Sequence, residues 1–277
     1  MTREDYGALR VALEGGVAFA TIDAPPMNLL GPALLGALDA FGRDVADDAR
    51  VRVVVLRSAD PEFFIAHGDV ELIASLPEAP PRSEPEPNFV HQVVDRLRTL
   101  PKATIAQIEG MARGGGSEVA LACDMRFAAR GRALFGQPEV ALGILPGAGG
   151  TVRLARLVGR ARAAEIILGG ADWSADEAER LGWVNRALPP DELGAFVARL
   201  ATRIAGFPAE SIAGVKAVLA RVEERLPAEL VAEQDAFARL LAGPAARPRM
   251  RAFLAQGSQT REGERTLGAD LEKLRDA

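Results

Sequence analysis

Apolar positions recur along this chain at two different periods, and the change between them outlines the fold. Two short runs, LRVAL at 9–13 and VAFATI at 17–22, have the β-branched, half-buried look of strands. Glu14-Gly15-Gly16 separates them, which predicts a hairpin. A Pro-rich turn, APPMN, follows. From Ala33 the period changes: Leu34, Leu35, Leu38 and Phe41 fall on one helical face. VRVVVLR at 51–57 predicts a largely buried strand, and FFIAHGDVELI at 63–73 a strand running through a loop into a helix. VHQVVDRLRTL predicts a helix stopped by Pro101, and TIAQIEG, DMRFAAR and ALFGQ predict further strands.

Beyond about residue 190 the pattern becomes helical throughout. ELGAFVARLATRIA, AESIAGVKAVLARVEERL and ELVAEQDAFARLLA all carry helix-spaced apolar residues, with Ile212, Val215, Leu219 and Val222 on one face. The expected plan is an α/β body at 1–190 followed by a helical region at 191–277. No fixed-period repeat is visible. Residues 77–91, PEAPPRSEPEPNFVH, are rich in Pro and Glu, and are expected to form a mobile loop rather than a linker, because strand-like segments resume after them.

Composition narrows the function classes. The chain has 277 residues, 48% of them hydrophobic, and a net charge of −5, so it can bury a large core and offers no basic stripe to nucleic acid. No apolar run reaches the roughly 18 residues of a membrane span, and the N-terminus has no apolar signal core. With two His and one Cys, a metal site of those ligands is not expected. The lone Cys123 reads as a buried small hydrophobe in a protein of the reducing cytoplasm.

The chemistry concentrates in two stretches. ARGGGSEVALACD at 112–124 is a strand-glycine-helix arrangement whose free N–H groups suit an anion, or an oxygen that becomes one. Its spacing fits neither a dinucleotide fingerprint nor a phosphate loop. Glu118 reads either as a favourable first-turn charge or as an acid–base group. GQPEVALGILPGAGG at 136–150 holds one charged residue, Glu139, among apolar and glycine positions. It is either a partnered core acid or the second half of a carboxylate pair whose pKa values burial can separate.

Five segments in order resemble the crotonase superfamily, the enoyl-CoA hydratase/isomerase family: VAFATIDAPPMNLL, VRVVVLRSADPEFFIAHGDV, IEGMARGGGSEVALACDMRFAA, FGQPEVALGILPGAGGTVRLARLVG and ADWSADEAERLGWVNRALPPDEL. The resemblance implies a spiral of ββα units, with C-terminal helices assembling a homotrimer or a hexamer built as a dimer of trimers. It implies an acyl-CoA substrate, with coenzyme A as part of that substrate and no separate cofactor. The backbone N–H groups of Gly68 and Gly115 would form an oxyanion hole for the thioester. Glu118 would activate water for attack on C3 of a 2-enoyl-CoA, and Glu139 would protonate C2. Ala66, His67, Asp69, Gly147 and Arg113 would contact the substrate, Gly147 helping to place the water. The same scaffold also supports isomerases, decarboxylases and thioester hydrolases, and a non-catalytic acyl-CoA-binding protein is a further alternative.

The chain departs from the family pattern at several positions. His67 stands where glycine is usual, and reads as a third proton-transfer group, a pocket wall, or a ring turned away. Arg113 replaces a small or apolar residue, and could meet an acidic substrate group, a CoA phosphate, or a local acid such as Glu109 or Glu71. Ala24 and Glu71 stand where basic residues are common. Trp173 reads as packing. The sequence after MRAF lacks the usual basic ending.

Overall fold

A computed structural model describes residues 2–76, 87–221 and 226–270. The strands are β1 (Thr2–Asp5), β2 (Leu9–Glu14), β3 (Val17–Ile22), β4 (Val53–Ser58), β5 (Phe63–Ile65), β6 (Ala103–Ile108), β7 (Met111–Arg113), β8 (Met125–Ala129), β9 (Leu134–Gly136), β10 (Trp173–Ser174) and β11 (Arg186–Leu188). The helices are α1 (Pro32–Asp47), α2 (Val70–Ser75), α3 (Phe89–Thr99), α4 (Gly115–Ala122), α5 (Gly150–Val158), α6 (Arg160–Gly169), α7 (Ala175–Leu181), α8 (Pro190–Ala205), α9 (Ala209–Arg221), α10 (Leu226–Ala242), α11 (Ala246–Ala255) and α12 (Arg261–Asp270), with a 3₁₀ turn at Glu139–Leu142.

Two sheets form the body. The larger runs β1-β2-β3-β4-β6-β8-β11, and the smaller β10-β9-β7-β5. The predicted hairpin is present: β2 and β3 pair antiparallel, and Gly15 and Gly16 both take positive φ between them. From β3 onward the large sheet is parallel, which requires crossover connections and coverage of both faces. Alternation in β4 shows how both faces are used. Val54 and Leu56 enter the main core with Leu38, Phe41 and Leu97 from α1 and α3. Val53 and Val55 face the other way, against Leu193, Val197 and Ala201 of α8.

The helical face of α8 is thus largely absorbed by the sheet, since Phe196, Leu200 and Ile204 pack on that same cluster together with Ile212. α9 is different. None of its residues is buried, and Val215, Val218 and Leu219 are each at least 60% exposed. α10, α11 and α12 form a third cluster with α2 and the 3₁₀ turn, through Val70, Leu142, Ile144, Leu241, Met250, Phe253 and Leu267. The C-terminal region therefore closes over the body as well as extending from it.

Helix α3 begins at Phe89, so the last part of the stretch read as a loop is helical, with Asn88 capping it by accepting from His91 N at 2.9 Å. Residues 77–86 of that stretch lie outside the described residues. Trp173 packs against the main core from β10, in line with its reading as packing. Among the described residues no helix is long and apolar enough to cross a membrane.

Candidate active site

The short helix α4 is buried along its whole length. It starts at Gly115, directly after β7, and Gly114 makes the bend with φ +46° and ψ −121°. A side chain is strained at that φ, and a methyl there would lie 2.7 Å from Glu139 Oε1. The glycine run thus lets the chain turn from strand to helix while passing close to the second acid.

Gly68 comes to the same place from the loop after β5. Leu30 N donates to His67 O at 2.9 Å, and Asp69 N donates to Leu30 O at 3.3 Å. His67 and Asp69 flank Gly68, so in this extended loop the Gly68 N–H points away from Leu30. A methyl on Gly115 would lie 3.3 Å from Gly68 N, which brings the two glycine backbones side by side. Gly115 N is the first amide of α4, at the positive end of that helix.

Beside these glycines lies a cavity of about 230 Å³. Glu118 and Glu139 both reach it, as do His67, Gly68, Asp69, Gly115 and Gly147. The rest of the wall is chiefly apolar, with Leu35, Val70, Ile73, Val90, Leu142 and Leu145 from the body. Phe237, Phe253 and Leu267 complete it from α10, α11 and α12.

The two acids have different surroundings. Glu118 Oε1 accepts two backbone hydrogen bonds, from Ala148 N and Gly150 N, both at 2.7 Å. Its partners therefore belong to a turn some thirty residues away, not to the start of its own helix. Burial pushes its carboxyl up to about 7, Glu233 adds to the rise, and the two amides hold it back. Glu139 sits at the start of the 3₁₀ turn, also buried. Burial and the nearby Glu118 raise its pKa well above the ordinary glutamate value. Gln137, fully buried, can turn its amide nitrogen to within 3.2 Å of both Glu139 oxygens.

His67 forms part of the cavity wall and does not turn away. Its Nδ1 lies 2.7 Å from Gly68 O, its Nε2 lies 2.9 Å from Glu264 Oε1, and its ring meets Phe253 edge-on. Asp69 caps α2, accepting from Leu72 N, and also accepts from Gln259 Nε2 at 3.1 Å.

Two positions expected to contact substrate are not brought to the cavity. Ala66 is fully buried, in a small apolar cluster with Met27, Phe63 and Met111. Arg113 is 1% exposed and makes a two-point pair with Asp172, at 2.7 and 2.8 Å, with Glu264 3.3 Å from its Nη1. The local ion pair is thus present, but with Asp172 and Glu264 rather than Glu109 or Glu71. Both partners are distant in sequence, and only the fold brings them to β7. Burial pushes Glu264 up, but His67, Arg113 and the backbone N–H of Gln259 together outweigh it and hold the carboxyl below its ordinary value.

Three residues at the site were not foreseen: Glu233, His91 and Glu264. Each is an ionisable residue within the buried stripe of an amphipathic helix, as Glu233 is between Leu230 and Phe237. A charge at a core-facing helical position is the signal that could have found them.

Fold and site together define an enzyme scaffold with paired acids at an apolar cavity, of the crotonase kind. The comparisons agree. A family model described as enoyl-CoA hydratase/isomerase matches residues 12–261. A short-chain-enoyl-CoA hydratase of Clostridium acetobutylicum is 38% identical over 192 residues, 69% of this chain and 72% of that protein. An enoyl-CoA hydratase of Rhizobium meliloti, so named as "probable", is 34% identical over 261 residues, covering 91% of this chain and 96% of its own. The crystal structure of a "putative enoyl-CoA hydratase" from Streptomyces avermitilis superposes with a TM-score of 0.87 at 39% identity, over 99% of this chain and 100% of that one. The chain belongs to the enoyl-CoA hydratase/isomerase family.

Proposed function

We propose that this protein is an enoyl-CoA hydratase, adding water across the 2,3 double bond of a 2-enoyl-CoA. The observation that carries this reading is the pair of buried acids at one cavity, Glu118 held there by two backbone amides and Glu139 beside the bend at Gly114. Glu118 is pushed up to about 7 and Glu139 well above its ordinary value. In this mechanism the ionised Glu118 acts as base, and Glu139, whose protonated form burial and the nearby Glu118 favour, acts as acid.

The thioester carbonyl oxygen accepts hydrogen bonds from Gly68 N and Gly115 N, which form the oxyanion hole. Glu118 takes a proton from water as its oxygen bonds to C3. The π electrons shift toward the thioester and form an enolate, held by the two amides and the end of α4. Glu139 then gives its proton to C2, which restores the carbonyl. Gly147 helps to place the water, and the acyl chain lies against the apolar wall. Coenzyme A enters as part of the substrate and no further cofactor is needed. Arg113, committed to Asp172 and Glu264, supports the loop behind the site. The working form is a homotrimer or a hexamer, a reading supported by the uncovered apolar face of α9. The single, buried cysteine suits the cytoplasm.

An enoyl-CoA isomerase on this scaffold needs only the acid at Glu139. The hold of two amides on Glu118 favours hydration, because it presents a second acid to the same cavity. The deciding assay is loss of the conjugated absorbance of crotonyl-CoA. Wild type is expected to consume it, and Glu118→Gln or Glu139→Gln to lower kcat by about 10²–10⁴-fold. Activity that survives both substitutions excludes this mechanism. A wild type active only on 3-enoyl-CoA is an isomerase.

A further inference from the structure

The turn that holds Glu118 is held from its other side as well. Ala148 N and Gly150 N donate to Glu118 Oε1, while Gly149 N donates to Glu233 Oε2 at 2.6 Å and Val152 N to Glu233 Oε1 at 3.1 Å. Amides 148, 149 and 150 thus alternate between two carboxylates. Arg153 Nη1 grips the same turn through Ala148 O at 3.3 Å. Glu233 belongs to α10, which presents one continuous face to this turn. Leu230, Glu233 and Phe237 occupy helical positions i, i+3 and i+7. A methyl on Gly149 would come within 3.1 Å of Leu230 Cδ2, and one on Gly147 within 2.6 Å of Phe237 Cδ2. Glu233 is itself buried, with His91 Nε2 of α3 at 3.4 Å.

We propose that Glu233 is a positioning residue for the reaction: from α10 it holds the 148–152 turn so that amides 148 and 150 meet Glu118 at the cavity. The inference rests on the hydratase reading, and adds a third carboxylate that touches neither water nor substrate. Its physical basis is the donor geometry. A glutamine at 233 keeps one acceptor but turns an NH₂ group toward the second backbone N–H. Two donors then face each other in a buried site, and the turn must shift. Small displacements of a catalytic group have large effects on rate.

Charge adds to position. The groups facing Glu118 are Glu139 of the 3₁₀ turn, Glu233 of α10 and Arg153 of α5, with His91 of α3 behind Glu233 and Asp95 of α3 paired to Arg153. After burial, Glu233 is the next contributor to the raised Glu118 pKa. Its carboxylate therefore helps keep Glu118 a strong enough base near neutral pH.

A merely structural role exists for comparison. Glu233 also caps α5, whose own N-cap is a glycine with no side chain to do so. Loss of a cap lowers stability, and the lost charge by itself lowers the Glu118 midpoint. Neither displaces the amides of Ala148 and Gly150 from Glu118, so kcat at its pH plateau stays unchanged. The test uses the full chain as wild type, Glu233→Gln and Glu233→Asp. The Glu118 carboxyl is titrated by NMR with ¹³C-labelled glutamate, its signal assigned by its loss in Glu118→Gln. Values of kcat and KM for crotonyl-CoA are measured across pH, alongside thermal melts.

In Glu233→Gln the lost charge is expected to lower the Glu118 midpoint from about 7, while burial still holds it above its ordinary 4.5. The acidic limb of kcat should move with it, kcat should drop roughly 10- to 100-fold, and KM should stay within about threefold. A lower melting temperature with kcat unchanged at its pH plateau overturns the proposal and leaves Glu233 as a cap. If Glu233→Gln does not fold, Glu233→Asp decides. It keeps the charge and shortens the arm, so a similar kcat loss supports the proposal and full activity overturns it. A wild type inactive on crotonyl-CoA removes the hydratase reading, while the amide ¹H–¹⁵N shifts of Ala148 and Gly150, unmoved in Glu233→Gln if Glu233 is only a cap, still decide its role.

Discussion

Glu118 carries a cost in stability that its role explains. Burial pushes its carboxyl up to about 7 from an ordinary 4.5, so the folded chain keeps a proton there that the unfolded chain has already released. Raising the pH from about 4.5 to about 7 therefore favours unfolding, and above 7 the cost is fully present. Both amide donors meet a single oxygen, Oε1, which a glutamine retains. Glu118→Gln is accordingly expected to be about 1–3 kcal/mol more stable than wild type at pH 8, with the gain vanishing at pH 4. Denaturant unfolding at the two pH values measures it. Equal stability at both would mean that Glu118 is not held in the costly state described. The acidic limb of kcat should lie near the same pH, because the ionised form of Glu118 is the base.

At the scale of elements, the legible parts were those whose pattern repeats. Long apolar strands such as β3, β4 and β6, and amphipathic helices such as α1 and α8, announce themselves by period. β1 reads TRED and β7 is three residues long, so neither offers a period, yet β7 places the glycines that open the site. α5 starts within a glycine-rich turn that hides its beginning, and its N-terminal amides are taken by acids from α4 and α10. Such partners are set by tertiary contact, which no local pattern contains. Glu118 and Glu139 were visible because each stands in an apolar, glycine-rich stretch. Glu233 was not, since an acid in VAEQDAFARLL also fits a solvated helix face. Arg113 shows the same limit: its position was legible and its partners were not. It ties β7 to Asp172 and, through Glu264, ties α12 to His67 at the cavity. Arg113→Ala leaves the buried Glu264 with one cationic neighbour fewer, and is expected to destabilise the fold by about 3–5 kcal/mol in urea unfolding. KM for crotonyl-CoA should change little. A large KM rise with unaltered stability would instead return Arg113 to substrate binding.

For the molecule as a whole, the apolar residues of the C-terminal region divide between two tasks. α8 covers the back of the large sheet, and α10 to α12 close the cavity through Phe237, Phe253 and Leu267. Among the described residues of this region the most uncovered apolar face is that of α9, where Val215, Val218 and Leu219 stand 60–63% exposed on a helix with no buried residue, with Phe207 and Leu240 exposed to a lesser degree. Leu157 of α5, 41% exposed, lines the same surface cleft as Leu219. That cleft also holds Arg98, Arg156 and Lys216, and Lys216 pairs with Asp124 at 2.8 Å. An apolar strip bordered by charged residues is the usual form of a subunit interface. The expected mass by light scattering at micromolar concentration is a multiple of the monomer. Val218→Asp with Leu219→Asp should shift it toward the monomer, because two carboxylates would then be buried without partners at the contact. Both positions are exposed in the single chain, so the thermal melt of the dissociated variant should keep a cooperative transition. A wild type that is monomeric at that concentration would leave α9 without its expected partner, and would require the site to work within one chain.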